Sequence, residues 1–265
     1  MEGTEDSSLI DWLGEVAQHY PDLIAVVDAA SGRRHTFGSF DNRANQIAHF
    51  CEQWVGLWPG DCIGLLAAPS DDVLQIALAA GKLSATALLL DPAAAPDGLI
   101  AAINAHGPRT VFYGLAQADL VRQMWFKVDS VEHFIPLRGA VDTADFEDIV
   151  AYYPTTPPKV ERAADVPWLR FAVEGMPWAG LEEALAAAAR SVSGDGPWRV
   201  AAPLYRSAGL AVALCGLQTG RCVVVEADAV QVIESPGAVP PSVEDADATV
   251  RNVPTGPSWL PHEFL

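Results

Sequence analysis

The chain has 265 residues, half of them hydrophobic, which is enough to bury one large core or two modest ones. Its 34 acidic and 16 basic residues give a formal net charge of -18. The clustered Lys and Arg that bind nucleic acid or an anionic membrane surface are therefore missing.

The N-terminal half alternates helical and strand patterns. We predict helices at Ser7–Tyr20, Ser39–Trp54, Asp71–Gly81 and Asp97–His106, with strands at Ile24–Asp28, Arg33–Phe37, Cys62–Ala67, Thr86–Leu90 and Thr110–Tyr113. No secretory leader or membrane span is evident, so we expect a cytoplasmic protein. The four cysteines stand in apolar contexts, which predicts buried free thiols, and the six dispersed histidines make a metal site improbable.

A β-α-β unit is predicted at Arg199–Glu226. It has an apolar strand at Val200–Leu204, an all-apolar helix at Ala208–Leu217 and an apolar strand at Cys222–Val225. Such elements are typical of a parallel sheet covered by helices. The loop after the first strand is polar and lies where open α/β sheets bind ligands. The predicted substrate-binding residues are Tyr205, Arg206, Ser207, Ala208 and Gly209.

Several short motifs occur in an order that resembles the acyl-adenylating (AMP-binding) superfamily, and most of all its fatty acid transport protein type. They are Pro21-Asp22 with Asp28, Thr36-Phe37 before Asn42–Asn45, Pro59–Asp61, Gly81–Leu83, Asp91-Pro92, and the heptad PLYRSAG at Pro203–Gly209, which is similar to the family's PLYHSAG. The resemblance implies an α/β protein with two lobes, whose mainly parallel sheets are flanked by helices. It also implies a partial adenylate-forming N-terminal domain. The irregular, proline-rich text before residue 160 places the lobes at 1–160 and 161–228, and six prolines with mostly acidic charge predict a tail at 229–265.

The phosphate-binding loop of the family, TSGTTGxPK, should fall at Phe171–Gly180, which here reads FAVEGMPWAG. Gly175 and Pro177 match, but Trp178 stands where lysine is expected and Glu174 adds a negative charge. A phosphate cradle needs close backbone amides, hydroxyls and a cation. We therefore expect no cofactor and no catalytic residue. The family's later motifs and its C-terminal lid domain are also expected to be missing.

The resemblance and these losses predict a non-catalytic protein that binds an acyl or carboxylic ligand or a protein partner. An acyl-CoA ligase completed by another subunit, and a purely structural dimer, are the alternatives. Arg206 replaces the family's histidine and could hold a carboxylate or phosphate, although an internal ion pair is favoured in so acidic a chain. Asp71 and Asp72 are interpreted as first-turn helix acids. Lys82, Arg43 and Arg109 could contact a ligand, but ordinary helix-end or turn roles are equally compatible.

Overall fold

The computed structural model describes residues 12–138, 146–160, 167–172, 188, 196–200 and 202–226. The phosphate-loop residues Glu174, Gly175, Pro177 and Trp178 lie outside these ranges, as do the start of the first predicted helix and the tail at 229–265.

The described residues form alternating strands and helices. The strands are β1 Ile24–Asp28, β2 Arg34–Thr36, β3 Cys62–Leu66, β4 Thr86–Leu89, β5 Thr110–Tyr113, β6 His133–Pro136, β7 Leu169–Phe171, β8 Trp198–Val200 and β9 Val223–Val225. The helices are α1 Trp12–His19, α2 Phe37–Phe50, α3 Asp71–Lys82, α4 Pro96–His106, α5 Ala118–Met124, α6 Phe146–Val150 and α7 Ser207–Gln218. A π-helical turn at Cys51–Val55 extends α2, and a 3-10 turn at Leu115–Gln117 precedes α5.

One sheet has five parallel strands in the order β6-β5-β3-β4-β7. Its central strands are nearly continuous apolar runs because both faces are covered. α3 is buried along almost its whole length, and Ser70 caps it by accepting a hydrogen bond from the Val73 amide.

The second sheet has four strands in the order β2-β1-β9-β8. β1 and β2 are antiparallel, whereas the β1-β9 and β9-β8 pairs are parallel. One core joins α1, α2, α3 and α7 to both sheets. Each sheet contains strands from before and after residue 160. In the five-stranded sheet, β7 pairs with β4, and in the four-stranded sheet, β9 pairs with β1. The lobe limits at 160 and 228 stay a prediction.

Two of the predicted bounds that differ from the observed ones have a clear physical reason. The strand predicted at Val200–Leu204 ends at Val200. Pro203 lacks an amide donor, and the Arg206 amide donates to the Pro203 carbonyl oxygen (3.0 Å), so a turn replaces the end of the predicted strand. The helix predicted to begin at Ser39 begins at Phe37, where the Thr36 hydroxyl caps the Ser39 amide.

All four cysteines are free, with Cys51, Cys215 and Cys222 buried and Cys62 partly buried. Burial raises the pKa of Cys62 to about 12, and a neighbouring Arg170 opposes that shift. No helix in the described ranges is long and apolar enough to cross a membrane.

Candidate functional site

The predicted binding loop lies where the two sheets meet. Tyr205 and Arg206 follow β8 in one sheet, and Asp91 follows β4 in the other. The Arg206 Nη2 and Asp91 Oδ2 atoms are 3.9 Å apart, so an ion pair links the carboxyl ends of the two strands. Open α/β sheets bind ligands at such an edge.

The loop's shape depends on close backbone packing. Arg206 has an extended backbone immediately before α7, and its carbonyl oxygen accepts from the Leu210 amide (3.1 Å). Gly209 lies so close to the preceding turn that a Cβ there would come within 2.6 Å of the Ala202 carbonyl oxygen. Only glycine fits that approach. The all-apolar α7 then enters the core, as its sequence predicts.

The five predicted substrate-binding residues differ in accessibility. Ala208 is exposed, and Tyr205 and Arg206 are partly exposed. Ser207 and Gly209 are buried within the loop. The structure therefore brings Tyr205 and Arg206 together as the polar groups that a ligand could reach, whereas Ser207 and Gly209 position them.

Arg206 keeps hydrogen-bonding capacity in this arrangement. Its side chain is 39% exposed, and the 3.9 Å separation from Asp91 is longer than a hydrogen bond. The internal ion pair expected for Arg206 is therefore present but loose. Burial and the nearby Asp91 charge raise the pKa of Tyr205, while Arg206 acts in the opposite direction. At neutral pH the loop thus presents a guanidinium and a phenol, which can both donate to a carboxylate.

A third strand end lies at the same edge. The Ala172 amide, just after β7, donates to the Leu89 carbonyl oxygen at the end of β4 (3.1 Å). Residues 171 and 172, the first two at the predicted phosphate-loop position, therefore lie beside the strand that precedes Asp91. The sequence motif Asp91-Pro92 contains this ion-pair partner, although the motif alone does not predict the pairing with Arg206.

A separate charged cluster ties the β1-β2 hairpin to α3. Asp71 and Asp72 occupy the first turn of α3, which confirms their interpretation as first-turn acids. Arg33 pairs with both carboxylates, His35 Nε2 lies 2.6 Å from Asp71, and Arg138 lies 2.7 Å from Asp72. Burial acts to raise the pKa of Asp71, but the His35 and Arg33 hydrogen bonds hold it well below its usual range. These paired groups stabilise the junction.

The other cations considered from sequence are held in internal ion pairs. They are Lys82 with Asp41 (2.7 Å), Arg43 with Glu147 (2.7 Å) and Arg109 with Glu132 (3.0 Å). The Lys82 and Asp41 side chains are 7% and 10% exposed. Structural roles account for all three. In the described ranges no cluster of three or more His, Cys, Asp or Glu side chains could hold a metal ion.

Comparison with known protein families shows to which family the chain belongs. A family model described as "AMP-binding enzyme" matches residues 13–167. The chain belongs to this family. Long-chain fatty acid transport protein 1 of Rattus norvegicus is 27% identical over 148 residues, which are 54% of this chain and 23% of that protein. The N-(5-amino-5-carboxypentanoyl)-L-cysteinyl-D-valine synthase of Amycolatopsis lactamdurans is 28% identical over 119 residues, 45% of this chain and 3% of that protein. The chain thus spans under a quarter of these curated relatives.

Solved structures of the AMP-binding type share the fold. The N-terminal domain of FACL13 from Mycobacterium tuberculosis superimposes with a TM-score of 0.71 at 18% identity, covering 84% of this chain and 57% of that one. A long-chain-fatty-acid-CoA ligase (FadD1) from Archaeoglobus fulgidus gives 0.71 at 18% identity, covering 83% and 47%. These structures confirm the predicted α/β fold of an adenylate-forming N-terminal domain. The identity to long-chain fatty acid transport protein 1 confirms the predicted resemblance to that type.

Proposed function

We propose that this AMP-binding family member is non-catalytic and binds an acyl or other carboxylic small molecule beside Tyr205 and Arg206. The observation that carries the proposal is the loose pairing of Arg206 with Asp91 at the junction of two strand ends. A guanidinium with free donors can bind a carboxylate through two parallel hydrogen bonds. The bulk of the acyl group would lie against Tyr205, which packs on the main core.

The sequence after β7 supports the non-catalytic part of the proposal. Residues 171–180 read FAVEGMPWAG and contain no serine, threonine or lysine. Bound triphosphate needs donors and positive charge, whereas Glu174 supplies a carboxylate. We therefore expect no measurable binding of magnesium-ATP and no adenylate formation.

Isothermal titration calorimetry tests both parts separately. Octanoate, decanoate and palmitate are titrated into the full chain, and magnesium-ATP is titrated in a parallel experiment. An Arg206→Gln variant should weaken carboxylate binding about tenfold, the effect of one charge-assisted hydrogen bond. Arg122→Gln is the matched control, because Arg122 is 75% exposed and pairs only locally with Asp119 among the described residues. Equal carboxylate affinity in the Arg206→Gln and wild-type proteins would contradict the site.

The fold likeness to acyl-CoA ligases keeps a ligase completed by another subunit as the second candidate. Pyrophosphate release is therefore measured with the same fatty acids, with the chain alone and with any co-purifying protein. Release above that of an Arg206→Gln control, or micromolar binding of magnesium-ATP, would refute the non-catalytic proposal. Self-association or a protein partner stays a prediction, which light scattering over a range of concentrations checks.

A further inference from the structure

A concave pocket lies at the opposite edge of the five-stranded sheet from the Tyr205 loop. Its volume is about 330 Å³, and its apolar lining residues are Leu57, Trp58, Pro59, Leu83 and Val160. Pro59 precedes β3 and Leu83 precedes β4, so these residues lie at the amino ends of the strands. Asp91, by contrast, follows the carboxyl end of β4. The length of β4 therefore separates this pocket from the candidate carboxylate site.

Hydrogen bonds fix the two turns that carry Trp58, Pro59 and Leu83. The Gly60 amide donates to the Ser84 carbonyl oxygen (2.9 Å), which joins the turn before β3 to the turn before β4. The Trp58 amide donates to the Asp61 carboxylate (2.8 Å). This turn leaves the Trp58 side chain 72% exposed. A large aromatic ring is thus held at the pocket by rigid backbone.

One wall comes from an irregular turn of α2. The helix changes at Cys51–Val55 into a π-helical turn, which contains the lining residue Glu52 and ends at Gly56 in the left-handed conformation. π-Helical turns are rare and occur frequently at functional sites. The Glu52 Oε2 atom lies 3.3 Å from His49 Nδ1.

Two further lining residues belong to a proline-rich strap, residues 151–160, which side chains of α2 hold by its carbonyl oxygens. Asn45 donates to Thr155 (2.8 Å), and His49 Nε2 lies 2.9 Å from the Thr156 oxygen. Gln46 Nε2 donates to the carbonyl oxygens of residues 151 and 153. The strap ends at Lys159 and Val160, which line the pocket. Lys159 is exposed, and none of the ion pairs between described residues includes it.

We propose that this pocket is a second ligand site, which binds a small aromatic or short-chain apolar acid with its carboxylate on Lys159. A cavity of about 150 Å³ holds one benzene ring, so about 330 Å³ accommodates roughly two fused rings. The volume lies within the range of small-molecule sites, and apolar walls with few polar groups are their usual composition. In a chain of net charge -18, a lysine without a described carboxylate partner is the complementary group for an acid.

The test uses 2-naphthoate as the probe and naphthalen-2-ylmethanol as its neutral counterpart. The indole N–H resonance of Trp58, assigned by its loss in Trp58→Phe, is followed by NMR during titration of the full chain. We expect both compounds to shift it saturably. Lys159→Met should weaken 2-naphthoate about two- to fivefold, the effect of one exposed cation, and leave the alcohol unchanged. Lys127→Met is the control, since Lys127 is also exposed but lies after α5.

Further variants separate this site from the proposed carboxylate site. Arg206→Gln should leave the Trp58 titration unchanged even if it abolishes fatty acid binding. Val160→Trp should fill the pocket and remove the shift, with the thermal unfolding curve checking that the protein is folded. Absence of a saturable Trp58 shift, or 2-naphthoate affinity that is unaffected by Lys159→Met, would overturn the proposal. A titration lost in Arg206→Gln would assign the acid to the other edge and overturn it equally.

Discussion

Replacing Gly209 with alanine tests the geometry of the candidate site. A Cβ at this position would lie within 2.6 Å of the Ala202 carbonyl oxygen and closer still to that of Pro203. Both are backbone atoms, so no side chain can rotate to make room. The turn that positions Tyr205 and Arg206 must therefore move away from α7.

The expected change combines two opposing effects. Overpacking of a close contact costs about 1 to 3 kcal/mol, and the rigid backbone here favours the upper value. Alanine in place of glycine within a helix regains up to about 1 kcal/mol. We therefore expect Gly209→Ala to lower the free energy of unfolding by about 2 kcal/mol, measured by urea denaturation with circular dichroism. Carboxylate affinity at Arg206 should fall as well.

Gly98→Ala is the matched control. Gly98 is also the third residue of a helix, α4, but a Cβ there meets no atom within 4 Å. The same substitution should raise the free energy of unfolding by up to about 1 kcal/mol. If Gly209→Ala were as stable as wild type while Gly98→Ala behaved as expected, the close approach of α7 to the Pro203 turn would be refuted.

Two buried charges give further predictions. Asp71→Asn should lower the free energy of unfolding by about 2 to 3 kcal/mol at pH 7, because it weakens the pairing of Arg33. The folded-state pKa of Asp71 is depressed, so the stabilisation by this carboxylate is present above about pH 4 and is lost as the pH falls further. The free energies of unfolding of wild type and variant should therefore converge when the urea assay is repeated at decreasing pH. Convergence on raising the pH instead would contradict this assignment. Lys82→Met leaves the Asp41 carboxylate buried without its cation and should cost about 3 to 5 kcal/mol in the same urea assay, and a loss under 1 kcal/mol would refute a structural role.

The elements predicted correctly from sequence are those with strong local signals. β3 and α3 combine continuous apolar runs with a serine cap, and their observed bounds differ from the predicted ones by a single residue. No local sequence pattern predicts β6 or β7. β6 is four residues long and contains a histidine and a proline, and β7 has an exposed Arg170 between two buried residues. Such strands exist because a neighbouring strand offers hydrogen bonds, which no local pattern reveals.

In the candidate site too, local sequence patterns predict some features, whereas others depend on tertiary contacts. A buried strand, a polar loop and an apolar helix in succession predict where Tyr205 and Arg206 lie relative to their own sheet. The Asp91 contact depends on how two sheets pack, because its strand belongs to the other sheet. The pocket at Trp58 and Lys159 likewise requires the strap at 151–160 to cross α2, and that crossing depends on side chains that bind backbone carbonyls.

In a strongly acidic chain, the pairing of each cation distinguishes structural from ligand-binding roles. Buried Lys82 lies at hydrogen-bonding distance from its carboxylate, and Arg33 contacts two acids, so their charge is satisfied within the protein. Arg206 is held only at 3.9 Å, and Lys159 has no ion pair with any described residue. Arg206 lies beside Asp91, which follows the carboxyl end of β4, whereas Lys159 lines the pocket at the amino ends of the strands. Their incomplete pairing, together with their positions beside the Tyr205 loop and in the pocket, is why we assign carboxylate recognition to them and structural roles to Lys82 and Arg33.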